Sequence, residues 1–334
     1  MNKFLKIFTI CVTCTLLLTA CDKEEPESSE PSEIVVSGGD DISEPEKLPF
    51  PVTVCGVRVG KAVERAVSLS PAATEIICEL GFGNSLVGVS KYCDYPKGLS
   101  AVRVGSTENP DVDGIIELAP DAVFTLTPLS EREAYALEQA GIAVLTAPAP
   151  VNIEQYSSLY KEIASAFYGK ELTDSQKDES KALRISKEAR AALERAAQAV
   201  EPYTFVYVTG KGKIAGVDTF ESAVLSLAGE NRVSGSGYIE TNQQFSEIPT
   251  FLIADMTLSE DEIHDDEFLE YFLDNGAELV FVDPRCFERP TARTAEVFAV
   301  LSGAEPVQAP ETTEETTEEG GYWGTTEEAH GYVE

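Results

Sequence analysis

The sequence predicts an α/β protein of two lobes, each with a central sheet of parallel type flanked by helices, and one long α-helix that bridges them. Short apolar segments alternate with amphipathic helical segments in residues 48–169, and again in residues 202–309. Such alternation is typical of parallel sheets covered by helices. Between these blocks, residues 173–200 have no strand signal and are rich in Ala, Glu, Lys and Arg, which favours a helix.

The first lobe has four predicted strands, at residues 66–70, 86–90, 122–126 and 142–146. The first helix begins with Ser70 as N-cap and Pro71 as first helical residue, and it stops at Gly81. Further helices are predicted at residues 111–119, 131–140 and 153–168. The bridging helix, residues 173–199, would be about 40 Å long.

The second lobe has predicted strands at residues 204–209, 255–258 and 279–282, and predicted helices at residues 219–227, 247–253, 266–274 and 291–302. One spacing is common to both lobes. Asp113 lies eight residues before Asp121, and Glu247 lies eight residues before Asp255, with each pair leading into a predicted strand. We therefore predict that the lobes share a duplicated architecture.

The N-terminal residues 1–20 have the pattern of a secretory signal peptide, with Lys3 and Lys6 before a short apolar run and small residues before Cys21. A spanning helix needs about 20 apolar residues, more than this run has. The segment before Cys21 resembles the lipobox of bacterial lipoproteins. The resemblance implies an extracytoplasmic protein that is lipid-anchored to the cell membrane through Cys21. An ordinary signal with an incidental cysteine is the alternative.

Both ends of the chain beyond the signal are acidic. Residues 22–47 contain ten acidic and two basic residues, and residues 310–334 contain eight acidic and no basic ones. Few large apolar residues occur in either, so we predict a disordered tether at residues 21–47 and a disordered tail at residues 310–334. The lobes themselves hold 40 acidic and 21 basic residues. This charge repels phosphate backbones and argues against nucleic-acid binding.

The four cysteines after the signal and Cys21 are Cys55, Cys78, Cys93 and Cys286, and they contain no CxxC pair. A zinc ribbon and a thioredoxin-type site are therefore not indicated. Cys78 lies on the apolar side of its helix and is expected in the core. A disulfide among the other three remains open.

Catalytic signatures are also missing. The sequence has no nucleophile elbow, no phosphate-binding loop and no zinc-protease helix, and its only histidines are His264 and His330. The glycines of residues 210–216 have one residue too many for a dinucleotide fingerprint. We predict a protein that is not an enzyme and has neither a cofactor nor a metal site of its own.

Seven segments resemble the substrate-binding proteins of ABC importers for cobalamin and ferric siderophores. They are residues 66–75, 86–96, 103–105, 118–121, 219–222, 228–231 and 287–293, in the same order along the chain as in the family. The resemblance covers roughly residues 50–305. It implies two lobes bridged by one long helix, a small-molecule ligand in the cleft between them, and a monomer whose partners are an ABC permease and its ATPase.

The resemblance also implies functional residues. Acidic residues on the lobe tips of the family engage arginines of the permease, and they correspond here to Glu247 and to Asp113, where the family usually has Glu. The alternative is that both acids only favour helix N-termini. The implied ligand-contacting positions are Tyr92, Cys93, Asp94, Thr107, Thr209, Arg285 and Phe287. Tyr238 is added because it lies at the end of a glycine-rich loop, residues 233–239, that is expected to cover the cleft. Tyr92 offers a ring for stacking or packs on its own lobe, and Cys93 is a metal ligand or inert. Arg285 binds an anionic ligand group or pairs with Asp283.

The ligand class follows from what the lobes lack. Relatives that import bare zinc or manganese use several histidines, which are missing here, so a chelated or organometallic cargo is expected. Residues 68–71 and 92–96 resemble the cobalamin-binding members of the family, which implies a cobalt corrinoid. Those members often pack tryptophans on the corrin, whereas the only tryptophan here, Trp323, lies in the tail. A ferric chelate such as a siderophore, and then haem, are the alternatives. A surface scaffold or adhesion lipoprotein without a ligand is the alternative of another class.

Overall fold

The computed structural model describes residues 49–170, 179–241 and 247–304. The predicted signal peptide, the lipidation at Cys21, the tether and the acidic tail lie outside these residues. No helix within the described ranges is long and apolar enough to cross a membrane.

The first lobe contains a five-stranded parallel sheet with the strand order β5-β4-β3-β6-β7, preceded by an antiparallel hairpin of β1 and β2. Its strands are β1 (Val52–Val54), β2 (Val57–Val59), β3 (Ala66–Ser68), β4 (Leu86–Val89), β5 (Val102–Arg103), β6 (Ala122–Thr125) and β7 (Ala143–Thr146). Its helices are α1 (Pro71–Glu79), α2 (Val112–Glu117) and α3 (Glu131–Gln139). All four residues of β6 are buried, as expected for a central strand with both faces covered.

Local signals set the start and end of α1 as the sequence predicts. The Ser70 side chain accepts a hydrogen bond from the Ala73 backbone, and Pro71 is the first helical residue. Gly81 then takes a φ of +87°, a conformation that costs glycine little. The helix buries Ile76 and Ile77 in the core of the lobe.

Two helices packed along each other lead from the first lobe to the second: α4 (Ile153–Tyr168) and α5 (Lys181–Ala197). The bounds of α4 match the prediction. The bridging helix was expected from residue 173, but Ser180 caps α5, so the helix begins at Lys181. Its 17 residues span about 25 Å rather than 40 Å. Residues 173–178 of the prediction lie outside the described residues.

The second lobe contains a six-stranded sheet in which β11-β9-β8-β12-β13 form a continuous order and β10 also pairs with β8. Its strands are β8 (Tyr203–Val208), β9 (Ile214–Ala215), β10 (Gly229–Asn231), β11 (Tyr238–Ile239), β12 (Phe251–Asp255) and β13 (Glu278–Val282). Its helices are α6 (Phe220–Leu225), α7 (Glu260–His264), α8 (Glu267–Asp274), α9 (Arg285–Glu288), a 3-10 helix (Ala292–Ala295) and α10 (Glu296–Leu301). Strands β8, β10, β12 and β13 are parallel, whereas β9 and β11 run antiparallel to their neighbours.

The predicted helix at residues 247–253 and the predicted strand at residues 255–258 are wrong. Residues 251–255 form β12, which is hydrogen-bonded between β8 and β13. Pro249 disfavours a helix across this segment, and the apolar run after it is buried as a central strand. Asp255 is therefore the last residue of its strand, whereas Asp121 precedes β6. The equal spacing of acidic residues does not reflect equivalent positions, although the parallel strands β10-β8-β12-β13 follow the same order as β4-β3-β6-β7.

The fold class is confirmed: two α/β lobes with parallel-type sheets, joined by helix. The lobes also share one hydrophobic core cluster, which includes Phe124 of the first lobe, Tyr156 of α4 and Phe205 of the second lobe. The four cysteines of the described residues are free thiols, so the disulfide left open by the sequence does not form in this structure. Burial raises the pKa of the Cys286 thiol to about 12, with further contributions from the charges of Asp283 and Glu296.

Candidate functional site

A cavity of about 720 Å³ opens at the carboxyl ends of β8 and β12; we call it the second-lobe pocket. The residues that line it all belong to the second lobe: Tyr207, Thr209, Gly210, Lys211, Lys213, Glu221, Tyr238, Asp255, Thr257, Pro284, Phe287 and Glu288. Ligands of parallel α/β sheets commonly bind at the carboxyl ends of the strands. The volume is within the range of small-molecule sites, about 300–1,000 Å³.

Aromatic side chains form much of the pocket wall. Tyr207 of β8 is only 2% exposed, and its ring meets that of Phe287 edge to face with the centroids 5.1 Å apart. Tyr238 of β11 is exposed, and its hydroxyl donates to both carboxylate oxygens of Glu221, at 2.9 and 3.1 Å. Partial burial raises the pKa of Tyr238, and the charge of Glu221 and its hydrogen bond with the Tyr238 hydroxyl raise it further. Such rings provide apolar area together with a polar edge.

Asp255 at the end of β12 holds the turn that follows β8. Its carboxylate accepts hydrogen bonds from the Gly210 backbone at 3.0 Å, and from the Thr257 backbone and hydroxyl at 2.8 and 2.7 Å. A Cβ at residue 210 would lie 2.8 Å from Asp255 Oδ2 and closer still to the Thr257 hydroxyl. Only glycine fits at residue 210 without displacing the side chains of Asp255 and Thr257.

Charges of both signs surround the aromatic wall. Lys213 pairs with Glu240 at 2.9 Å. Burial raises the pKa of the Glu288 carboxyl, and the charges of Asp255 and Asp283 add to this, whereas Arg289 acts in the opposite direction. The pocket can therefore hold an aromatic or macrocyclic body and provide polar contacts at its edge.

An ionic cluster, which we call the interlobe cluster, connects the two lobes beside this pocket. It consists of Glu75 and Asp94 of the first lobe and Asp283, Arg285, Arg289 and Arg293 of the second. Arg289 Nη1 lies 3.0 Å from Glu75 Oε1 and also donates to Asp94. The Thr291 hydroxyl donates to the other Glu75 oxygen at 3.0 Å. The Glu75 side chain is 0% exposed, so its polar contacts are with these partners.

The aspartates of the interlobe cluster are held ionised by its arginines. Burial alone would raise the pKa of Asp94, but the hydrogen bond and charge of Arg289, with the charge of Arg285, lower it overall. The pKa of Asp283 is lowered in the same way, by Arg285 and Arg293. Arg285 donates to Asp283 through Nε at 2.9 Å and through Nη2 at 2.6 Å. This bidentate geometry is strong.

The structure brings three of the predicted ligand residues together in the second-lobe pocket: Thr209, Tyr238 and Phe287. Asp94 and Arg285 belong instead to the interlobe cluster. Arg285 is thus paired with Asp283, which is the second of the two roles that the sequence left open. Its guanidinium is therefore not free to bind an anionic group of a ligand.

The remaining three lie on the first lobe and do not line this pocket. Tyr92 is 56% exposed, with the Lys91 ammonium 4.8 Å from its ring centroid. Thr107 donates its hydroxyl to the backbone carbonyl of Leu69 at 3.2 Å. Cys93 is 2% exposed and its sulfur lies 3.1 Å from Thr74 Oγ1. Cys93 is thus part of the core of the first lobe, so we omit it from the proposed site.

Sequence reasoning missed Tyr207, Glu221, Asp255 and Glu288 as pocket residues. Tyr207 lies inside an apolar strand, and nothing in the local pattern distinguishes it from a core aromatic. Asp255 carried a usable signal, because it follows the apolar run of residues 251–254, where the carboxyl end of a strand would be expected.

The two predicted docking acids have different surroundings. Asp113 is exposed in the first turn of α2, which Asp111 caps by accepting from the Gly114 backbone at 3.0 Å. Glu247 is 61% exposed and pairs with Arg232 at 3.0 Å. Glu247 does not begin a helix, so for this residue the helix N-terminus explanation does not apply.

Among the described residues there is no group of three or more His, Cys, Asp or Glu side chains placed to hold a metal ion. His264 is exposed at the end of α7.

Comparison with known proteins gives consistent matches. A family model described as periplasmic binding protein matches residues 67–254. A Bacillus subtilis protein named uncharacterized ABC transporter substrate-binding lipoprotein YvrC is 27% identical over 246 residues, which cover 68% of this chain and 71% of that protein. A vitamin B12-binding protein of Yersinia pestis is 33% identical over 106 residues, which cover 31% of this chain and only 38% of that protein.

Two solved structures from Vibrio cholerae show the same fold. The vitamin B12 binding protein BtuF aligns with a TM-score of 0.51 and 22% identity, over 72% of this chain and 95% of that chain. The haem-binding protein HutB aligns with a TM-score of 0.57 and 17% identity, over 71% of this chain and 98% of that chain. At these identities the likeness shows the fold alone.

Proposed function

The chain belongs to the periplasmic binding protein family, and from this premise we propose that it is the substrate-binding lipoprotein of an ABC importer whose cargo is a corrinoid. The observation that carries the proposal is the second-lobe pocket at the carboxyl ends of β8 and β12, with Tyr207, Tyr238 and Phe287 in its wall. A corrinoid is a large, mostly apolar macrocycle with polar groups at its rim, which suits aromatic walls edged by charged side chains.

The relatives support the same choice. One is named a vitamin B12-binding protein, and the B12-binding BtuF shares the fold. The haem-binding HutB also shares the fold, so the experiment must distinguish haem from a corrinoid as the ligand. In the proposal the ligand rests on the second-lobe pocket, and the exposed Tyr92 of the first lobe contacts its other side. Thr107 is proposed to line the same side, together with the exposed part of Asp94, which keeps its ion pair with Arg289.

The test is calorimetric titration of the chain from residue 22 onward with cyanocobalamin, and in parallel with haemin and a ferric hydroxamate. We expect one cyanocobalamin per chain. Phe287→Ala should weaken binding by about tenfold or more, because it removes a buried aromatic contact. Tyr135→Ala on α3, where Tyr135 is exposed, is the matched control and should bind like the wild type.

The outcome decides between the alternatives. Binding of haemin or the ferric hydroxamate without binding of cyanocobalamin would replace the corrinoid. A chain that binds none of the three, and whose melting temperature none of them raises, would leave the surface scaffold as the better proposal.

We also propose that Asp113 and Glu247 orient the protein on the permease. Exposed carboxylates on separate lobes contribute more to the orientation and rate of docking than to affinity. The double variant Asp113→Ala with Glu247→Ala should bind ligand normally and lower uptake in cells. The control is a double variant of two other exposed acids, Glu138→Ala with Glu270→Ala. Normal uptake by the first double variant would remove the docking role.

The proposed location is the outer side of the cell membrane, with Cys21 lipidated after signal cleavage. The relative from Bacillus subtilis is itself named a lipoprotein. Cys21→Ser should release the protein from the membrane fraction into the medium or periplasm. Membrane retention of the serine variant would show that another segment anchors the chain.

A further inference from the structure

A second cavity, which we call the helix pocket, has a volume of about 390 Å³. It lies among α1, α4, α5 and the 3-10 helix Ala292–Ala295, and shares no lining residue with the second-lobe pocket. It is lined by Glu79, Leu80, Tyr156, Tyr160, Tyr168, Arg184, Ile185, Glu188, Ala189, Ala192, Leu193, Ala292 and Ala295. Both lobes and both connecting helices therefore contribute to its wall, and nothing in the proposed transport cycle uses it.

Glu79 is the distinctive group of this pocket. Its carboxylate accepts hydrogen bonds from the Tyr160 hydroxyl at 2.6 Å and from the Ala292 backbone at 3.2 Å. Within the described part of the chain it has no cationic partner, whereas Glu75, one turn earlier on α1, pairs with Arg289. A carboxylate has about four acceptor positions, so the two hydrogen bonds leave Glu79 room for a further donor.

The surroundings of Glu79 disfavour an unpaired charge. Burial raises the pKa of this carboxyl, and the charge of Glu75 adds to the rise, although the two hydrogen bonds act against it. The side chain is nevertheless accessible to solvent. A cation that reached Glu79 from the pocket would therefore supply the missing partner.

The other walls suit an apolar body with a positive charge. The side chains of Tyr168, Ile185 and Leu193 provide aromatic and aliphatic surface. The basic lining residue, Arg184, is paired with Glu188 at 3.5 Å and so does not neutralise Glu79. The Lys181 ammonium lies 5.4 Å from the ring centroid of Tyr168, so one cation already lies beside this aromatic ring.

We propose that the helix pocket binds a small organic cation, with its ammonium group on Glu79 and its apolar body against the aromatic and aliphatic wall. An anion would meet Glu79 and Glu188 and is disfavoured. The volume is at the lower end for small-molecule sites, about 300–1,000 Å³, so the ligand is small. Because the walls come from both lobes, an occupant stabilises their relative orientation.

The test uses 2-phenylethylammonium as probe and 2-phenylethanol as its neutral counterpart, with the chain from residue 22 onward. Binding is followed by ligand-observed NMR and by the melting temperature. We expect the ammonium to bind at least about tenfold more tightly than the alcohol, because only the ammonium makes a charge-assisted hydrogen bond to Glu79. Equal binding of the two probes, or no binding of the ammonium, overturns the proposal.

Two variants localise the site. Glu79→Gln keeps the shape and the acceptor for Tyr160 but removes the charge, and should lower the affinity for the ammonium to that for the alcohol. Glu138→Gln, an exposed acid on α3, is the matched control and should leave the affinity unchanged. Ala192→Phe fills the exposed edge of the pocket and should abolish binding even if Glu79→Gln proves too unstable to measure. Binding by Ala192→Phe at the wild-type affinity would place the probe elsewhere and overturn the assignment.

Discussion

Replacing Glu75 with glutamine removes a buried negative charge on which Arg289 of the other lobe depends. The Glu75 side chain is 0% exposed, 3.0 Å from Arg289 Nη1 and 3.7 Å from Arg293 Nη1. Glutamine keeps the acceptor for the Thr291 hydroxyl, so the substitution tests the charge and not the shape. Removing one partner of a buried ion pair typically costs about 3–5 kcal/mol.

The lower end of that range applies, because Arg289 keeps Asp94 and Arg293 keeps Asp283. We expect a loss of about 3 kcal/mol in the free energy of unfolding. For a protein of this size, each kcal/mol lowers the melting temperature by about 2–4 °C, so the expected decrease is about 6–12 °C. Urea unfolding followed by circular dichroism measures the free energy directly.

Asp94→Asn is the matched control because it removes a carboxylate from the same Arg289. The Asp94 side chain is 43% exposed, and water screens its ion pair. We therefore expect Asp94→Asn to cost at most about 1 kcal/mol. A loss for Asp94→Asn equal to or greater than the loss for Glu75→Gln would refute the reasoning that burial sets the energetic importance of this cluster.

Two more predictions concern Asp283 and the close contact of Gly210 with Asp255, both in the second lobe. The charges of Arg285 and Arg293 and the hydrogen bonds from Arg285 outweigh burial and lower the folded-state pKa of Asp283 below its ordinary 3.8. The ionised Asp283 therefore stabilises the folded state above pH 3.8. This stabilisation is lost as the pH falls through the folded-state pKa. The difference in unfolding free energy between wild type and Asp283→Asn should thus be largest at neutral pH and decrease below pH 3.8; a constant difference would contradict this. Gly210→Ala should lower the melting temperature by several degrees, because the added Cβ would lie 2.8 Å from Asp255 Oδ2 and still closer to the Thr257 hydroxyl. An unchanged melting temperature would contradict this and show that the turn after β8 moves to make room for the Cβ.

The sequence predicted those elements whose signals are local. Ser70 and Pro71 define the start of α1 as predicted. The helix predicted at residues 131–140 is α3, and the structure adds a capping box of Ser130 and Glu133 at its start. The helix at residues 153–168 was predicted with its observed bounds. These segments agree with their tertiary environment, so propensity and burial pattern give the same answer.

The prediction failed where the environment overrides local pattern. Residues 247–253 were predicted as a helix although Pro249 disfavours one, and β8 and β13 provide the hydrogen-bonding partners that make residues 251–255 a central strand. The interaction between neighbouring strands is invisible in a single sequence, because the partners lie tens of residues away.

Some residues of the candidate site were likewise predicted from the sequence, and others were found only in the structure. Sequence by itself determined the two-lobe α/β class, and it predicted Thr209, Tyr238 and Phe287 as ligand contacts, three residues that line one pocket in the structure. Only the tertiary structure decided that Tyr207 and Asp255 join them, that Cys93 is core, and that Arg289 meets Glu75 across 214 positions of chain. Contacts of such separation are fixed by how sheets and helices pack, and the packing is a property of the whole chain rather than of any segment.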